Sequence, residues 1–399
     1  MNKTPAVRFK GFTEDWEQRK LGDITVSYSG GTPTAGNTEY YGGAIPFIRS
    51  GEISKKQTEL FITESGLKNS SAAMVNKGDI LYALYGATSG EVSISKMKGA
   101  INQAILAILP NKEYDSNFLM QWLRIKKDYI IATYLQGGQG NLSGTIVKNL
   151  IVELPSFVEQ TRIGSTLTYI DNLITLHQRK YEKLVNIKKS MLYKMFPQNG
   201  RKVPEIRFAG FTDDWEQRRL EEFVTFFSGL TYSPNDIRPS GTLVLRSSNV
   251  KNGEIIDADN VYVDPKIVNV ENVKNGDIIV VVRNGSRSLI GKHAEIKGLK
   301  PDTVIGAFMT GIRSEHPSFI NALLNTPRFE KEVTMNMGAT INQITGYMFS
   351  KMEFLIPTNK EQDIIGRYFK NLDNLITLHQ RKLEKLKQLK QAMLHKMFV

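Results

Sequence analysis

The sequence contains no cysteine, which excludes a disulfide framework, a zinc site built on thiolates and a cysteine nucleophile. Its most apolar run, residues 278–282, is far shorter than the roughly 20 residues of a membrane-spanning helix. The first twelve residues lack the apolar segment of a secretory signal. These absences predict a soluble, cytoplasmic protein with no membrane partner.

Motifs of catalysis are also lacking. No Gly-Lys-Ser/Thr sequence occurs, so there is no P-loop, and Gly138 and Gly140 are followed by Gly144 instead of the glycine that a dinucleotide fingerprint requires. No Pro-Pro-Tyr-type motif of amino-methyltransferases is present, and Pro301-Asp302 lacks the downstream Glu-x-Lys of a nuclease centre. No two histidines have metal-ligand spacing on one helix face; the five are His177, His293, His316, His379 and His395. The sequence therefore predicts no catalytic residue, no metal site and no cofactor bound by this chain.

One ten-residue segment is present twice. Residues 171–180 read DNLITLHQRK, and residues 373–382 repeat them without a change. Around each copy, mostly apolar residues recur at alternating intervals of four and three positions, which is the spacing of a coiled-coil seam. The predicted seam comprises Ile170, Ile174, His177, Tyr181, Leu184, Leu372, Ile376, His379, Leu383 and Leu386. The two histidines on this seam are expected to fix its register, which polar seam residues do more often than they bind metal.

The duplication extends beyond these helices. The segment GFTEDWEQR around Trp16 recurs as GFTDDWEQR around Trp215. Within the two segments, Thr13 and Thr212 are the predicted N-caps of short helices. A duplicated chain of this kind predicts a pseudo-symmetric molecule whose two long helices pair antiparallel.

Each repeat also carries matching strand patterns. Residues 45–50 correspond to residues 242–247, and a Gly-Asp turn precedes an apolar strand at residues 80–82 and again at residues 278–280. The predicted fold class is α+β, with two pseudo-symmetric globular domains separated by two long antiparallel coiled-coil helices. The predicted boundaries are residues 1–157 for domain 1, 158–197 for the first helix, 198–206 for a linker, 207–359 for domain 2 and 360–399 for the second helix.

The charge of the chain points to an anionic partner. The formal net charge is +12, and residues 161–196 and 363–398 each carry a net +5. Two interpretations fit such a surface. It contacts an anionic partner, either DNA phosphates or an acidic protein, or it is simply a solvated helical face.

The loops after the predicted strands carry arginine, asparagine and glutamine, the side chains that recognise guanine and adenine, along with serine and threonine. They differ between the two repeats, which favours two different targets over a duplicated catalytic centre. The candidate DNA contacts are Arg49, Ser50, Tyr85, Thr88, Gln136, Gln139, Asn141, Arg246, Ser247, Arg283, Asn284, Arg287, Asn342 and Gln343.

The segments that close each repeat resemble a known family, the specificity (S) subunit of type I restriction–modification enzymes. The resemblance covers essentially the whole chain. Its most specific residues are Leu154, Pro155, Glu159, Gln160, Ile163 and Asp171, with their counterparts Ile356, Pro357, Glu361, Gln362, Ile365 and Asp373.

The resemblance implies that each globular domain is a target recognition domain for double-stranded DNA and that the chain itself is not an enzyme. It also implies two modification subunits that methylate adenine with S-adenosylmethionine, and restriction subunits that use ATP and Mg²⁺ to translocate and cut DNA. The paired helices would set the gap between two half-sites of a split, asymmetric target. One helical turn is about 5.4 Å, so adding or removing a turn is expected to change that gap by one to two base pairs.

Three alternatives remain open from the sequence. A coiled-coil adaptor that binds only protein would show no salt-dependent affinity for DNA. A self-contained nuclease or methyltransferase would act on DNA without partners. An S-type subunit of another restriction class would serve a partner chain that combines modification with cleavage.

Overall fold

A computed structural model describes residues 4–135, 141–298, 302–337 and 342–398. The chain forms two compact units. Unit 1 comprises Met1–Gln178 together with Arg381–Val399, and unit 2 comprises Arg179–Gln380. Each unit thus contains one globular domain and a segment of each long helix.

The described residues of unit 1 form ten strands, and the first long helix starts in this unit. The strands are β1 Glu17–Lys20, β2 Thr25–Ser29, β3 Tyr41–Ile48, β4 Phe61–Ile62, β5 Ala73–Val75, β6 Ile80–Ala83, β7 Val92–Ile94, β8 Gly99–Ile101, β9 Ile105–Pro110 and β10 Ile151–Leu154. The helices that start in it are α1 Leu21–Ile24, α2 Glu64–Lys68, α3 Ser116–Ile125, α4 Lys127–Tyr134, α5 Gly144–Lys148 and α6 Phe157–Lys194.

Unit 2 repeats this order with local differences. Its strands are β11 Glu216–Arg219, β12 Thr225–Ser228, β13 Ile237–Arg238, β14 Thr242–Leu245, β15 Val250–Lys251, β16 Glu254–Ile255, β17 Val261–Val263, β18 Ile278–Val281, β19 His293–Glu295, β20 Thr303–Ile305, β21 Met309–Arg313 and β22 Glu353–Ile356. The helices that start in it are α7 Pro317–Leu323, α8 Pro327–Asn336, α9 Gly346–Ser350 and α10 Asn359–Met397.

Two four-stranded sheets form the core of each unit. In unit 1 their orders are β2-β9-β6-β7 and β4-β3-β8-β5, and in unit 2 they are β12-β21-β18-β19 and β13-β17-β14-β20. The first sheet of each unit is antiparallel, whereas the second contains one parallel pair, β3 with β8 or β14 with β20. The α+β class is therefore confirmed.

The two Gly-Asp turns have the same geometry. Gly78 and Gly276 adopt positive φ angles of 106° and 91°, which glycine tolerates at little steric cost. The carboxylate of Asp79 accepts a hydrogen bond from the backbone N–H of Asn76 at 2.7 Å, and Asp277 accepts one from Lys274 at 2.8 Å. Each turn leads into a strand buried along its whole length, because that strand lies between two others in its sheet.

The predicted helices after Thr13 and Thr212 are wrong. The chain enters β1 and β11 instead, which pair antiparallel with β10 and β22. The closing strand of each repeat supplies backbone hydrogen-bond partners to these segments, and this long-range pairing overrides the local capping signal. Trp16 and Trp215 are buried, as expected for residues that anchor each segment.

Each long helix is fixed at its start by a buried ion pair. Arg8 donates two hydrogen bonds to Glu159, at 2.9 and 2.6 Å, and Arg207 donates two to Glu361, both at 2.8 Å. Both glutamate side chains are 1% exposed. Bidentate arginine–carboxylate pairs are among the strongest hydrogen-bonded contacts, so the repeated Arg and Glu residues stabilise the fold.

Within each unit the two helical segments run antiparallel. In unit 1 the Asp171 carboxylate lies 2.6 Å from Nζ of Lys390, and in unit 2 Asp373 lies 2.6 Å from Nζ of Lys188. All the predicted seam residues are buried or half-buried, namely Ile170, Ile174, His177, Tyr181, Leu184, Leu372, Ile376, His379, Leu383 and Leu386.

The Asp171–Lys390 pair predicts a pH effect on stability. Burial raises the pKa of Asp171, but hydrogen bonds from Lys390 and Gln121, together with the positive charges of Lys390 and Arg124, outweigh burial and leave the pKa below its usual value. Burial lowers the pKa of Lys390, and the bond to Asp171 opposes that shift. Because the folded-state pKa of Asp171 is depressed, its stabilising contribution is present above the unfolded pKa of about 3.9 and is lost as the pH falls through the folded value.

The Asp171→Asn variant should therefore be less stable than the wild type at neutral pH. The difference in unfolding free energy should shrink as the pH falls below about 4. Denaturant unfolding between pH 7 and pH 3 measures this difference. Glu113→Gln, an exposed surface change, serves as the control and should alter stability little throughout. A pH-independent cost of Asp171→Asn would contradict the assignment.

Candidate nucleic-acid interface

The loops that follow β14 and β18, one strand from each four-stranded sheet of unit 2, lie close together. Arg246 and Ser247 follow β14, and Arg283 and Asn284 follow shortly after β18. The Asn284 side-chain amide donates to Ser247 Oγ at 2.9 Å, and its backbone N–H donates to the carbonyl of Asn342 at 3.2 Å. These contacts join three loops that are distant in sequence into one polar surface.

Unit 1 has the same backbone arrangement with different side chains. Tyr85 forms an isolated β-bridge with Asn141, as Arg283 does with Gln343. The N–H of Leu84 donates to the carbonyl of Ala104 at 2.8 Å. The corresponding bond in unit 2 runs from Val282 to Phe308 and is 3.0 Å long.

These bonds define three pairs of equivalent positions: Tyr85 and Arg283, Asn141 and Gln343, Ala104 and Phe308. The candidates Gln136 and Gln139 lie outside the described residues.

The Arg49 guanidinium is paired with two carboxylates. It donates to Glu52 at 3.1 and 3.0 Å and to Glu59 at 2.9 Å. The bonds from Arg49, together with one from Thr58, outweigh the effect of burial and lower the pKa of Glu52 to about 2. Arg49 immediately precedes the short turn that contains Ser50, and its backbone N–H donates to the Glu52 carboxylate at 3.3 Å. Its positive charge is already balanced by carboxylates.

Arg246 and Asn284 are held in a similar way. Arg246 donates to the Asp259 carboxylate at 2.7 Å. The Asn284 side chain is used at both ends, since its Oδ1 accepts from the N–H of Ser286 at 2.9 Å while its Nδ2 donates to Ser247. These two internal bonds fix the orientation of the Asn284 amide. These residues shape the loops and position their neighbours.

The other described candidates differ in their exposure to solvent. Arg283, Arg287 and Asn141 are exposed, while Tyr85 and Thr88 are half-buried. Gln343 and Asn342 are half-buried as well, and Asn342 Nδ2 donates to the carbonyl of Gly285 at 2.9 Å. Within the described part of the chain, neither Arg283 nor Arg287 forms an ion pair, so both cations face outward for an anionic partner.

The sequence reasoning missed two side chains at this surface. Phe308 is 53% exposed, and the guanidinium carbon of Arg283 lies 5.0 Å from the centre of its ring. Gln103 occupies the matching turn of unit 1, where it accepts a hydrogen bond from Thr32 at 2.7 Å. Both residues lie in short turns between apolar strands, so their pattern resembles a strand. Matching the two repeats across the β8–β9 and β20–β21 turns was the signal that could have found them.

Two histidines of unit 2, His293 and His316, form contacts that stabilise the fold. His293 is buried, with Nδ1 2.9 Å from the carbonyl of Gly291 and Nε2 2.9 Å from the Asn325 amide. Burial lowers its pKa, which favours the neutral ring. His316 contacts Asp363 at 2.7 Å. Across residues 4–135, 141–298, 302–337 and 342–398, no cluster of three or more His, Asp or Glu side chains is arranged to hold a metal.

Among the described residues, no helix combines the length and the apolar character that a bilayer span requires.

Comparison with known proteins identifies the family. Residues 13–186 and 212–388 each match the model of the type I restriction modification DNA specificity domain. The chain is 24% identical over 401 residues to the type I restriction enzyme MjaVIII specificity subunit of Methanocaldococcus jannaschii, covering 96% of this chain and 92% of that protein. It is 26% identical over 186 residues to the StySPI specificity subunit of Salmonella potsdam, covering 44% and 40% of the two chains.

A solved structure shares the fold. The crystal structure of the type I restriction–modification S subunit from M. genitalium matches with a TM-score of 0.69 at 14% identity, over 99% of each chain. The family model matches one domain in each repeat, and its two matches together take in most of the chain. The protein therefore belongs to the type I restriction modification DNA specificity family.

Proposed function

We propose that each unit of this specificity subunit recognises one half of a split, asymmetric DNA site. The chain is the DNA-recognising component of its restriction–modification system and not the catalytic one. One observation carries the split-site proposal: equivalent backbone positions carry Arg283, Gln343 and Phe308 in unit 2 but Tyr85, Asn141 and Ala104 in unit 1. Because these side chains offer different donors, acceptors and apolar groups to a base edge, the two units are suited to different sequences.

DNA and the other subunits of a restriction–modification complex are the partners of this chain. The finer assembly is part of the proposal: two modification subunits that methylate adenine with S-adenosylmethionine, and restriction subunits that use ATP and Mg²⁺, in the cytoplasm. Both long helices expose apolar side chains outside the seam, including Tyr169 at 64%, Leu176 at 46% and Leu378 at 45%. Exposed apolar residues on otherwise charged helices are suited to contacts with protein partners.

The spacing of the two half-sites provides a test of the helices' role. The segments from Asp171 to Lys188 and from Asp373 to Lys390 are equal in length, so the same insertion in both preserves the ion pair of each unit. Inserting seven residues, one heptad, into each segment lengthens each helix by about 10.5 Å. The proposal predicts a methylated motif with both half-sites unchanged and a gap longer by about three base pairs, given the rise of about 3.4 Å per base pair.

The measurement is methylome sequencing of cells that contain the modification subunit and either the wild-type or the lengthened chain. A heptad inserted into α6 alone is the control, because it shifts one seam against the other and should abolish methylation. Altered half-site sequences with an unchanged gap would contradict the spacing role.

The same sequencing, with and without the wild-type chain, tests the function itself. We expect adenine methylation at a split, asymmetric motif only when the chain is present. Unchanged methylation in an assembled, active system would favour an adaptor that binds only protein. If the split motif is methylated when the only partner is a single chain that carries both the modification and the cleavage activity, the result would favour another restriction class.

A further inference from the structure

We propose that Arg283, held against the ring of Phe308, recognises a guanine in the half-site of unit 2. This inference rests on the proposed recognition of one half-site by each unit. It assigns a base to one residue of that surface, and it assigns Phe308 a positioning role.

The Arg283 side chain has a defined support. Its guanidinium carbon lies 5.0 Å from the centre of the Phe308 ring, within the range of a cation–π contact. The backbone is anchored to the same residue, since the N–H groups of Val282 and Arg283 both donate to the Phe308 carbonyl, at 3.0 and 3.2 Å. A long arginine side chain loses conformational freedom when it binds, and a side chain already held in place loses less.

The chemistry of the supported side chain favours guanine. A planar guanidinium offers two parallel N–H donors that match the O6 and N7 acceptors of guanine in the major groove. Arg283 can use them, because it is exposed and forms no ion pair within the described residues. Arg49 and Arg246, the arginines that follow β3 and β14, already donate to Glu52 and to Asp259.

The contrast with unit 1 makes the assignment specific. At the two equivalent positions unit 1 has Tyr85 and Ala104. Tyr85 has no guanidinium in the place of Arg283, and Ala104 has no aromatic ring in the place of Phe308. Changes at Arg283 and Phe308 should therefore affect one half-site and leave the other unchanged.

Methylome sequencing of variant chains, assembled with the modification subunits, tests the location of the effect. Arg283→Ala should reduce the preference for one G·C pair of one half-site by about tenfold to a hundredfold, since a bidentate pair supplies discrimination of that order. Phe308→Leu should weaken the preference at the same base pair by about two- to fivefold, because it removes only the cation–π support. Phe308→Tyr keeps an aromatic ring and should restore the preference.

Arg287→Ala provides the matched control. Arg287 lies in the same loop, is exposed, and has no aromatic ring under its guanidinium within the described residues. Removing a phosphate contact of Arg287 would weaken binding evenly across sequences and reduce the dependence of the affinity on salt. The two arginine variants should thus differ in kind: one changes which sequences are bound, and the other changes how tightly all are bound.

A modified base gives the decisive measurement. Duplexes carrying the wild-type motif, with 7-deazaguanine in place of each guanine in turn, are bound by the complete methyltransferase complex. One position should reduce the affinity of the wild-type complex by about tenfold, and the same substitution should have no further effect on the Arg283→Ala complex, as expected when two changes remove one interaction.

The outcomes separate this inference from the proposed function. If Arg283→Ala weakens binding evenly and every 7-deazaguanine effect persists in it, the guanine assignment is overturned while the split motif of the wild type stands. If the Phe308→Leu variant keeps the wild-type preference at the base pair that depends on Arg283, Phe308 has no positioning role, and that part of the inference is overturned. If the wild-type chain directs no methylation, the proposed function itself is wrong.

Discussion

The Glu361→Ala variant is expected to lower the free energy of unfolding of unit 2 by about 3–5 kcal/mol. The carboxylate of Glu361 accepts both hydrogen bonds of Arg207, and the two side chains are 1% and 14% exposed. Its removal leaves a buried guanidinium with neither its countercharge nor its acceptors, which is the most costly way to disrupt such a pair. Chemical denaturation measures the loss of unfolding free energy, and hydrogen exchange at residues of α10 measures the local loss of protection.

The exposed pair of Arg19 and Glu17 supplies the control. Its side chains are 55% and 71% exposed at a separation of 3.0 Å, so Glu17→Ala should cost less than about 1 kcal/mol. Adding Arg207→Met to Glu361→Ala should recover part of the lost stability, because it removes the uncompensated charge. Equal costs for Glu361→Ala and Glu17→Ala would show that the buried pair does not stabilise the start of α10.

The Phe398→Ala variant is expected to destabilise unit 1 by about 3–5 kcal/mol. Phe398 follows α10, yet its ring lies in the core of the first unit, 6.3 Å from the ring of Trp16 and 5.2 Å from that of Phe118. Truncation removes aromatic contacts and leaves a cavity among buried side chains. Hydrogen exchange should show lost protection in β6 and α3, which are elements of unit 1.

Leu389→Ala on the same helix is the matched control. Leu389 is 49% exposed, so its truncation should change stability by no more than about 0.5 kcal/mol. Phe196→Ala should reproduce the Phe398 effect in unit 2, because Phe196 lies 5.9 Å from Trp215 and 5.8 Å from Phe319. Lost protection in unit 2 upon Phe398→Ala would contradict the placement of this residue.

The candidate interface shows why residue type alone does not identify a DNA contact. In the sequence, Arg49 and Arg283 are candidates for the same reason, because both are arginines that follow strands. The structure pairs Arg49 with two carboxylates and places Arg283 on an exposed aromatic ring. Both carboxylates lie within ten residues of Arg49, but a pattern search cannot tell which nearby acid will meet an arginine.

The sequence by itself determined the duplication, the helical seams and the family. An identical ten-residue repeat and a 3.5-residue periodicity are properties of the linear chain, and they require no knowledge of which strands pair. The Gly-Asp turns were equally local, because a glycine with positive φ and an aspartate that bonds three residues back complete the turn among neighbours.

Only the tertiary structure decided the features that depend on distant partners. The strand after Trp16 forms because β10, more than 130 residues later, supplies its hydrogen bonds. Phe308 becomes a support for Arg283 because the end of β18 lies beside the start of its antiparallel neighbour β21. Local propensity has no information about such contacts, since their energy comes from groups that the chain brings together only when it folds.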